Sequence, residues 1–180
     1  ENVPAIKSFD EDGIVIYAGS FSKVVAPGIR VGFALANKEV IAKLTVAKQT
    51  QDVHTPLMSQ LVVYKWLTEY DFESHINKIR EIYKRKLNLL CDCVDKELSD
   101  FLTYHRPEGG LFVWAKLNDG IDMLDFCRKA SAAGVSVVPG NAFMVDGDKK
   151  CDYIRMNFST PSDEDIVKGV KILGEVARSL

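Results

Sequence analysis

The chain is short of cysteine and histidine, carries no excess of either charge and contains no long hydrophobic run. Each shortage removes a class of function. The longest apolar stretches, such as Val31-Gly32-Phe33-Ala34-Leu35-Ala36, fall far short of the roughly 20 residues that a membrane span needs. With 23 Lys+Arg against 25 Asp+Glu the formal net charge is −2, which gives no electrostatic case for nucleic acid or an anionic lipid surface. Glu1-Asn2-Val3-Pro4 has neither the basic start nor the apolar run of a secretory signal, and the missing initial Met reads as a processed or excised piece. Cys91-x-Cys93 is too tight for a zinc knuckle, and no histidine lies near Cys91, Cys93, Cys127 or Cys151. Reduced, partly buried thiols in a cytoplasmic protein without a metal site are the expectation. His54, His75 and His105 are scattered and share no ligand spacing; His54, just before Thr55-Pro56, suits a cap or interface as well as a site.

What is present is ordinary globular composition, 47% hydrophobic and 27% charged over 180 residues, enough for one domain or one and a part. Ile14-Val15-Ile16-Tyr17 reads as a strand covered on both faces, as in a parallel sheet, and Ile29 to Leu35 as a second strand. Between them lies the small-residue loop Ala18-Gly19-Ser20-Phe21-Ser22-Lys23. Asn37 is placed to cap a helix bearing Val40, Ile41, Leu44 and Ala47. Thr55-Pro56 starts a second helix, apolar nearly all round and therefore expected to be buried. After Tyr70-Asp71 the offsets of Ile76, Ile79, Tyr83, Leu87, Leu90, Val94 and Leu98 predict one long amphipathic helix able to bridge two lobes.

Beyond residue 100 the pattern becomes strand–helix–strand. Leu111 to Leu117 fits a strand, and Asp122 caps a helix that Gly134 ends. Val135 to Val138 reads as a short strand. Tyr153 to Ser159 alternates, with Ile154, Met156 and Phe158 on one face and Tyr153, Arg155 and Asn157 on the other. Pro161-Ser162-Asp163 opens a last amphipathic helix. The class is α/β, in two unequal parts.

Three places can carry chemistry. Lys23 follows a strand and sits among Gly19, Ser20 and Ser22, where an amine taken out of water becomes a nucleophile toward a carbonyl. A plain surface lysine fits the spacing too. Ser20 and Ser22, with the fixed charge of Arg30, are the parts of a phosphate cup at the carboxyl end of a strand. Arg155, mid-strand between Ile154 and Met156, is costly there unless paired. An acidic neighbour or a carboxylate ligand would each satisfy it.

Ser20-Phe21-Ser22-Lys23, followed by Ala26-Pro27-Gly28-Ile29-Arg30-Val31-Gly32, resembles the pyridoxal-phosphate enzymes of fold type I. The closest group is the class I/II aminotransferases, in the aromatic, 2-aminoadipate and kynurenine branch. The likeness continues through Pro107-Glu108-Gly109-Gly110-Leu111-Phe112-Val113-Trp114 and Val138-Pro139-Gly140-Asn141-Ala142-Phe143 to Tyr153-Ile154-Arg155-Met156-Asn157-Phe158-Ser159, four motifs in register. It implies that Lys23 is the catalytic lysine, joined to pyridoxal 5'-phosphate as a Schiff base and then shuttling the substrate α proton. It implies that Ser20, Ser22 and Arg30 bind the cofactor phosphate, that Arg155 binds the substrate α-carboxylate, and that Pro139 to Phe143 lie beside the substrate.

The same resemblance implies a C-terminal portion of a longer, homodimeric aminotransferase acting on an amino acid and a 2-oxo acid. Residues 1–52 are then the tail of the large cofactor domain, 53–98 bridging helices and 99–180 a small α+β C-terminal domain. The groups that hold the pyridine ring in the family have no counterpart in these residues, so the chain alone is expected to be inactive. Two further readings share the fold: the effector domain of a transcription regulator, and a lyase or decarboxylase.

Overall fold

The structure, a computed structural model, describes residues 3–146 and 150–180. The chain divides into two compact units, one ending at Ile76 and the other spanning Asn77–Leu180.

In the first unit, β1 (Tyr17–Ser20) pairs antiparallel with β2 (Gly32–Leu35), Ser20 standing opposite Gly32. The observed strand starts three residues later than Ile14, and its neighbour runs antiparallel. Asp10 explains the shift: its carboxylate accepts from the backbone N–H groups of Ile14 (3.0 Å) and Val15 (3.0 Å), which ties the predicted strand start into a turn. Helix α1 (Lys38–Gln51) begins where expected, with the Asn37 side chain accepting from Val40 N at 2.9 Å. It closes on Val53, whose φ of 65° lies in the left-handed region that a β-branched residue rarely enters.

Helix α2 (Leu57–Glu69) starts one residue later than predicted, with Pro56 at the cap. The burial expected of it is not found: Val63 is its buried residue, whereas Leu57, Met58, Leu61, Val62 and Tyr64 are exposed. Apolar composition without periodicity gives a helix no single inward face, so its burial depends on what surrounds it.

Helix α3 (Phe72–Glu97) opens on Asp71, whose carboxylate accepts from Ser74 N, and passes from the first unit into the second. Its stripe buries Leu87, Leu90 and Val94 as the spacing predicts, with Cys91 beside them, while Ile76, Ile79 and Tyr83 are half-buried. The second unit is a four-stranded antiparallel sheet in the order β3 (Leu102–Tyr104), β4 (Phe112–Leu117), β6 (Tyr153–Asn157), β5 (Val138–Pro139). β3 has no alternation long enough to read, and β5 is shorter and later than the predicted Val135–Val138.

Helices α4 (Met123–Ala132) and α5 (Asp163–Arg178) are capped by Asp122 and Ser162, and Gly134 ends α4 at a φ of +88°. Their apolar stripes and that of α3 cover one face of the sheet, where Val113, Ala115 and Leu117 of β4 meet Ile154 and Met156 of β6. The pleat therefore turns Phe112, Trp114, Tyr153 and Arg155 to the opposite face. At Gly140, which follows β5, a Cβ would lie 2.5 Å from the Tyr153 carbonyl oxygen, so the close backbone approach there requires glycine.

Candidate active site

In the first unit the loop from β1 to β2 brings Ser20, Ser22 and Arg30 together. Ser20 caps a 3₁₀ turn over Phe21–Lys23, its hydroxyl accepting from Ser22 N at 3.2 Å. Arg30 Nη1 donates to Ser22 Oγ at 3.2 Å and to the Pro27 carbonyl at 3.1 Å. Both hydroxyls act as acceptors in these contacts, so each keeps its own O–H proton for another partner. Arg30 reaches this position with φ 53° and ψ 39°, left-handed geometry that costs a non-glycine residue about 1 kcal/mol. Such an outlier points to a functional constraint.

Lys23 ends the turn. Its side chain is exposed, which fits the plain surface lysine and not an amine taken out of water, and it has no hydrogen-bond or ion-pair partner among the described residues. The physical reason is visible in the surrounding strands: β1 and β2 are a two-stranded ribbon with mostly exposed side chains, and offer no wall around the amine.

In the second unit Arg155 stands on β6 opposite Trp114 of β4 and Val138 of β5. No acidic residue pairs with it, so the salt-bridge reading fails among the described residues. The guanidinium is instead held by its faces, 4.0 Å from the centroid of Phe112 and 4.4 Å from that of Phe143. Trp114 stacks on Tyr153 at 5.3 Å and meets Phe143 edge-on at 5.5 Å, so Phe143 belongs to an aromatic layer with those two rings. Arg155 Nε is buried without a hydrogen-bond partner among the described residues. An unsatisfied buried donor costs about 1–3 kcal/mol, and a planar two-toothed anion would satisfy it together with an Nη group.

Phe112 as a neighbour of Arg155 was not singled out from sequence. The signal is its parity: with Trp114 opposite Arg155, every second residue of β4 shares that face. His75 was also passed over; its Nε2 lies 2.8 Å from the Val24 carbonyl oxygen, directly after Lys23. Nothing local marks that contact, because the partners are 51 residues apart. Among the described residues no cluster of three or more His, Cys, Asp or Glu could hold a metal ion. No described helix is long and apolar enough to cross a membrane.

Residues 2–173 match the model of the family aminotransferase class I and II. Aromatic-amino-acid aminotransferase 1 of Thermococcus litoralis is 40% identical over 178 residues, which are 99% of this chain and 42% of that protein. The chain thus spans about two fifths of the length of such a relative. An uncharacterized HTH-type transcriptional regulator of Bacillus subtilis is 32% identical over 97% of this chain and 36% of its own length. Among solved structures, a kynurenine aminotransferase of Pyrococcus horikoshii, in complex with PMP, superposes with a TM-score of 0.89 at 35% identity. That match covers 97% of this chain and 43% of the other.

Proposed function

Because the chain belongs to the class I and II aminotransferase family, we propose that it supplies the lysine, the phosphate cup and the carboxylate clamp of a pyridoxal 5'-phosphate-dependent amino-acid aminotransferase. One observation carries this reading: Ser20, Ser22 and Arg30 are joined by hydrogen bonds one residue from Lys23, which has no partner among the described residues. Two hydroxyls with free protons and a guanidinium fit a phosphate monoester, and an unpaired amine beside it fits the aldehyde of the same molecule.

Bound there, pyridoxal 5'-phosphate supplies the electron sink that lets an amino acid lose its α proton. Lys23 Nζ would be the amine that holds the cofactor through its aldehyde, and the same amine would serve as the base that takes and returns the substrate α proton. Ser20, Ser22 and Arg30 hold the phosphate so that the amine and aldehyde meet in one orientation. Arg155 takes the α-carboxylate of the amino acid and of the 2-oxo acid through two parallel N–H groups, while Phe112 and Phe143 keep its plane from turning.

In this reading residues 1–52 end a large cofactor domain, residues 53–98 bridge, and residues 99–180 form a small domain. The working protein is a cytoplasmic homodimer. Free thiols at all four cysteines suit a reducing compartment, and the exposed Leu57, Met58, Leu61 and Val62 of α2 suit a subunit interface. The likeness to the Bacillus regulator favours a second reading, an effector domain on the same fold. A DNA-binding region upstream in the gene separates it from the first.

The test is to mix the chain with pyridoxal 5'-phosphate, reduce with borohydride and locate the adduct by mass spectrometry, with Lys23→Ala as control. A saturable adduct confined to Lys23 is expected. No adduct, or labelling spread over other lysines, overturns the reading.

A further inference from the structure

One contact ties the lysine turn to a distant part of the sequence. His75, in the first turn of α3, sets Nε2 2.8 Å from the carbonyl oxygen of Val24. A carbonyl only accepts, so Nε2 carries the proton and donates. The imidazole is itself braced. It meets Trp66 of α2 edge-on with centroids 4.9 Å apart, and Trp66 meets Phe72 edge-on at 5.3 Å. The turn has few bonds of its own: the Phe21 carbonyl accepts from Val24 N at 3.3 Å and from Val25 N at 2.8 Å. Short 3₁₀ turns have poor hydrogen-bond geometry and hold only when something outside them helps. Fixing the Val24 carbonyl fixes the Val24–Val25 peptide plane, the second after Lys23, and so braces the end of the turn from which the long lysine stem leaves the backbone.

We propose that His75 is a positioning residue for Lys23, clamping the turn through the Val24 carbonyl from the α2–α3 corner. Its bearing on catalysis rests on the role proposed above for Lys23; the clamp itself does not. Trp66 and Phe72 give His75 the rigidity that a flexible donor would lack, and a glutamine amide is the conservative replacement able to reach the same oxygen.

The test uses the whole chain as wild type, His75→Phe and His75→Gln. Phenylalanine keeps the edge contact with Trp66 but cannot donate. Amide hydrogen exchange at Val25 is expected to quicken roughly tenfold in H75F, the size of one lost hydrogen bond, with the Ile154 amide of the second unit unchanged. H75Q restores the wild-type rate. Formation of the borohydride-fixed adduct at Lys23 slows in H75F and recovers in H75Q. Exchange at Val25 that stays within about twofold of wild type in H75F overturns the clamp. Should H75F not fold, the wild type decides: nitrogen NMR of the neutral His75 ring is expected to show the Nε2–H tautomer, and an Nδ1–H tautomer overturns the proposal. A wild type that exchanges as expected but forms no adduct at Lys23 sinks the aminotransferase reading and leaves the clamp standing.

Discussion

The first unit buries Val31 and Val63, while the second buries Phe126, Phe158, Leu98, Leu117, Ile154 and many neighbours around one sheet face. The same contrast holds for their functional groups. Arg155 is locked between two rings on the central part of a four-stranded sheet, whereas Lys23 ends a three-residue turn held by one capping hydroxyl, one arginine and one histidine. Arg155 therefore rests on a packed core within the second unit. The Ser20, Ser22 and Arg30 cluster and Lys23 depend on local hydrogen bonds, whose net contribution is about 1 kcal/mol each. Exposed Tyr17, Phe33 and Leu35 on the β1–β2 ribbon and the exposed apolar side chains of α2 leave that unit little hydrophobic stabilisation of its own.

The sharpest way to break this contrast is to truncate one side chain in each unit. Phe126 is fully buried, and Phe126→Ala is expected to cost about 3–5 kcal/mol in chemical denaturation followed by tryptophan fluorescence. Leu61 is 45% exposed, and Leu61→Ala should stay within about 0.5 kcal/mol. Equal losses would mean that the first unit has a core of comparable weight.

A second test separates stability from function at the clamp. Arg155→Met removes a buried donor that has no partner among the described residues, so the folded chain should change by no more than about 1 kcal/mol. Affinity of the cofactor-loaded aminotransferase for a 2-oxo acid should fall on the order of a hundredfold, the weight of two charge-assisted hydrogen bonds. A large loss of stability instead would make Arg155 a structural residue.

The smallest expected effect concerns pH. Burial raises the Cys127 thiol from its ordinary 9.0 to about 11, and burial also raises Cys91. The unfolded chain then ionises first as pH rises, binds fewer protons than the folded one, and gains on it. Stability from this thiol is complete below pH 9.0 and lost progressively up to about 11. Denaturation midpoints measured across that window should fall, and Cys127→Ser should flatten the fall. Alkylation of Cys127 should be slow at pH 8 on the order of the thiolate it lacks.

The elements legible in the sequence were those whose cause lies within a few residues. The Asn37 and Asp122 caps, the start of α5 at Pro161-Ser162-Asp163, Leu87, Leu90 and Val94 on the α3 stripe, the helix end at Gly134 and the alternation of β6 all follow from spacing, and all are present. The grouping of Ser20, Ser22 and Arg30 was legible for the same reason, since their hydrogen bonds span two and eight residues. Failures came where a competing local bond or a distant surface decided. Asp10 drew Ile14 and Val15 out of the strand, and α2, apolar on all sides, gave no sign of which face would be covered.

By itself, then, the amino-acid order determined where helices start and stop, which face of each amphipathic element turns inward, and which polar groups gather in the β1–β2 loop. Capping, turn geometry and periodicity act over one or two turns of chain, so neighbours in sequence are enough to set them. Only the tertiary structure decided that Phe112 and Phe143 hold Arg155, that no acid neutralises it among the described residues, and that His75 reaches Val24. Those contacts join residues 43, 12 and 51 positions apart. They form only where folding brings distant segments together, the pleat of β4 and β6 placing the rings around Arg155 and the α2–α3 corner placing His75 at the Val24 carbonyl.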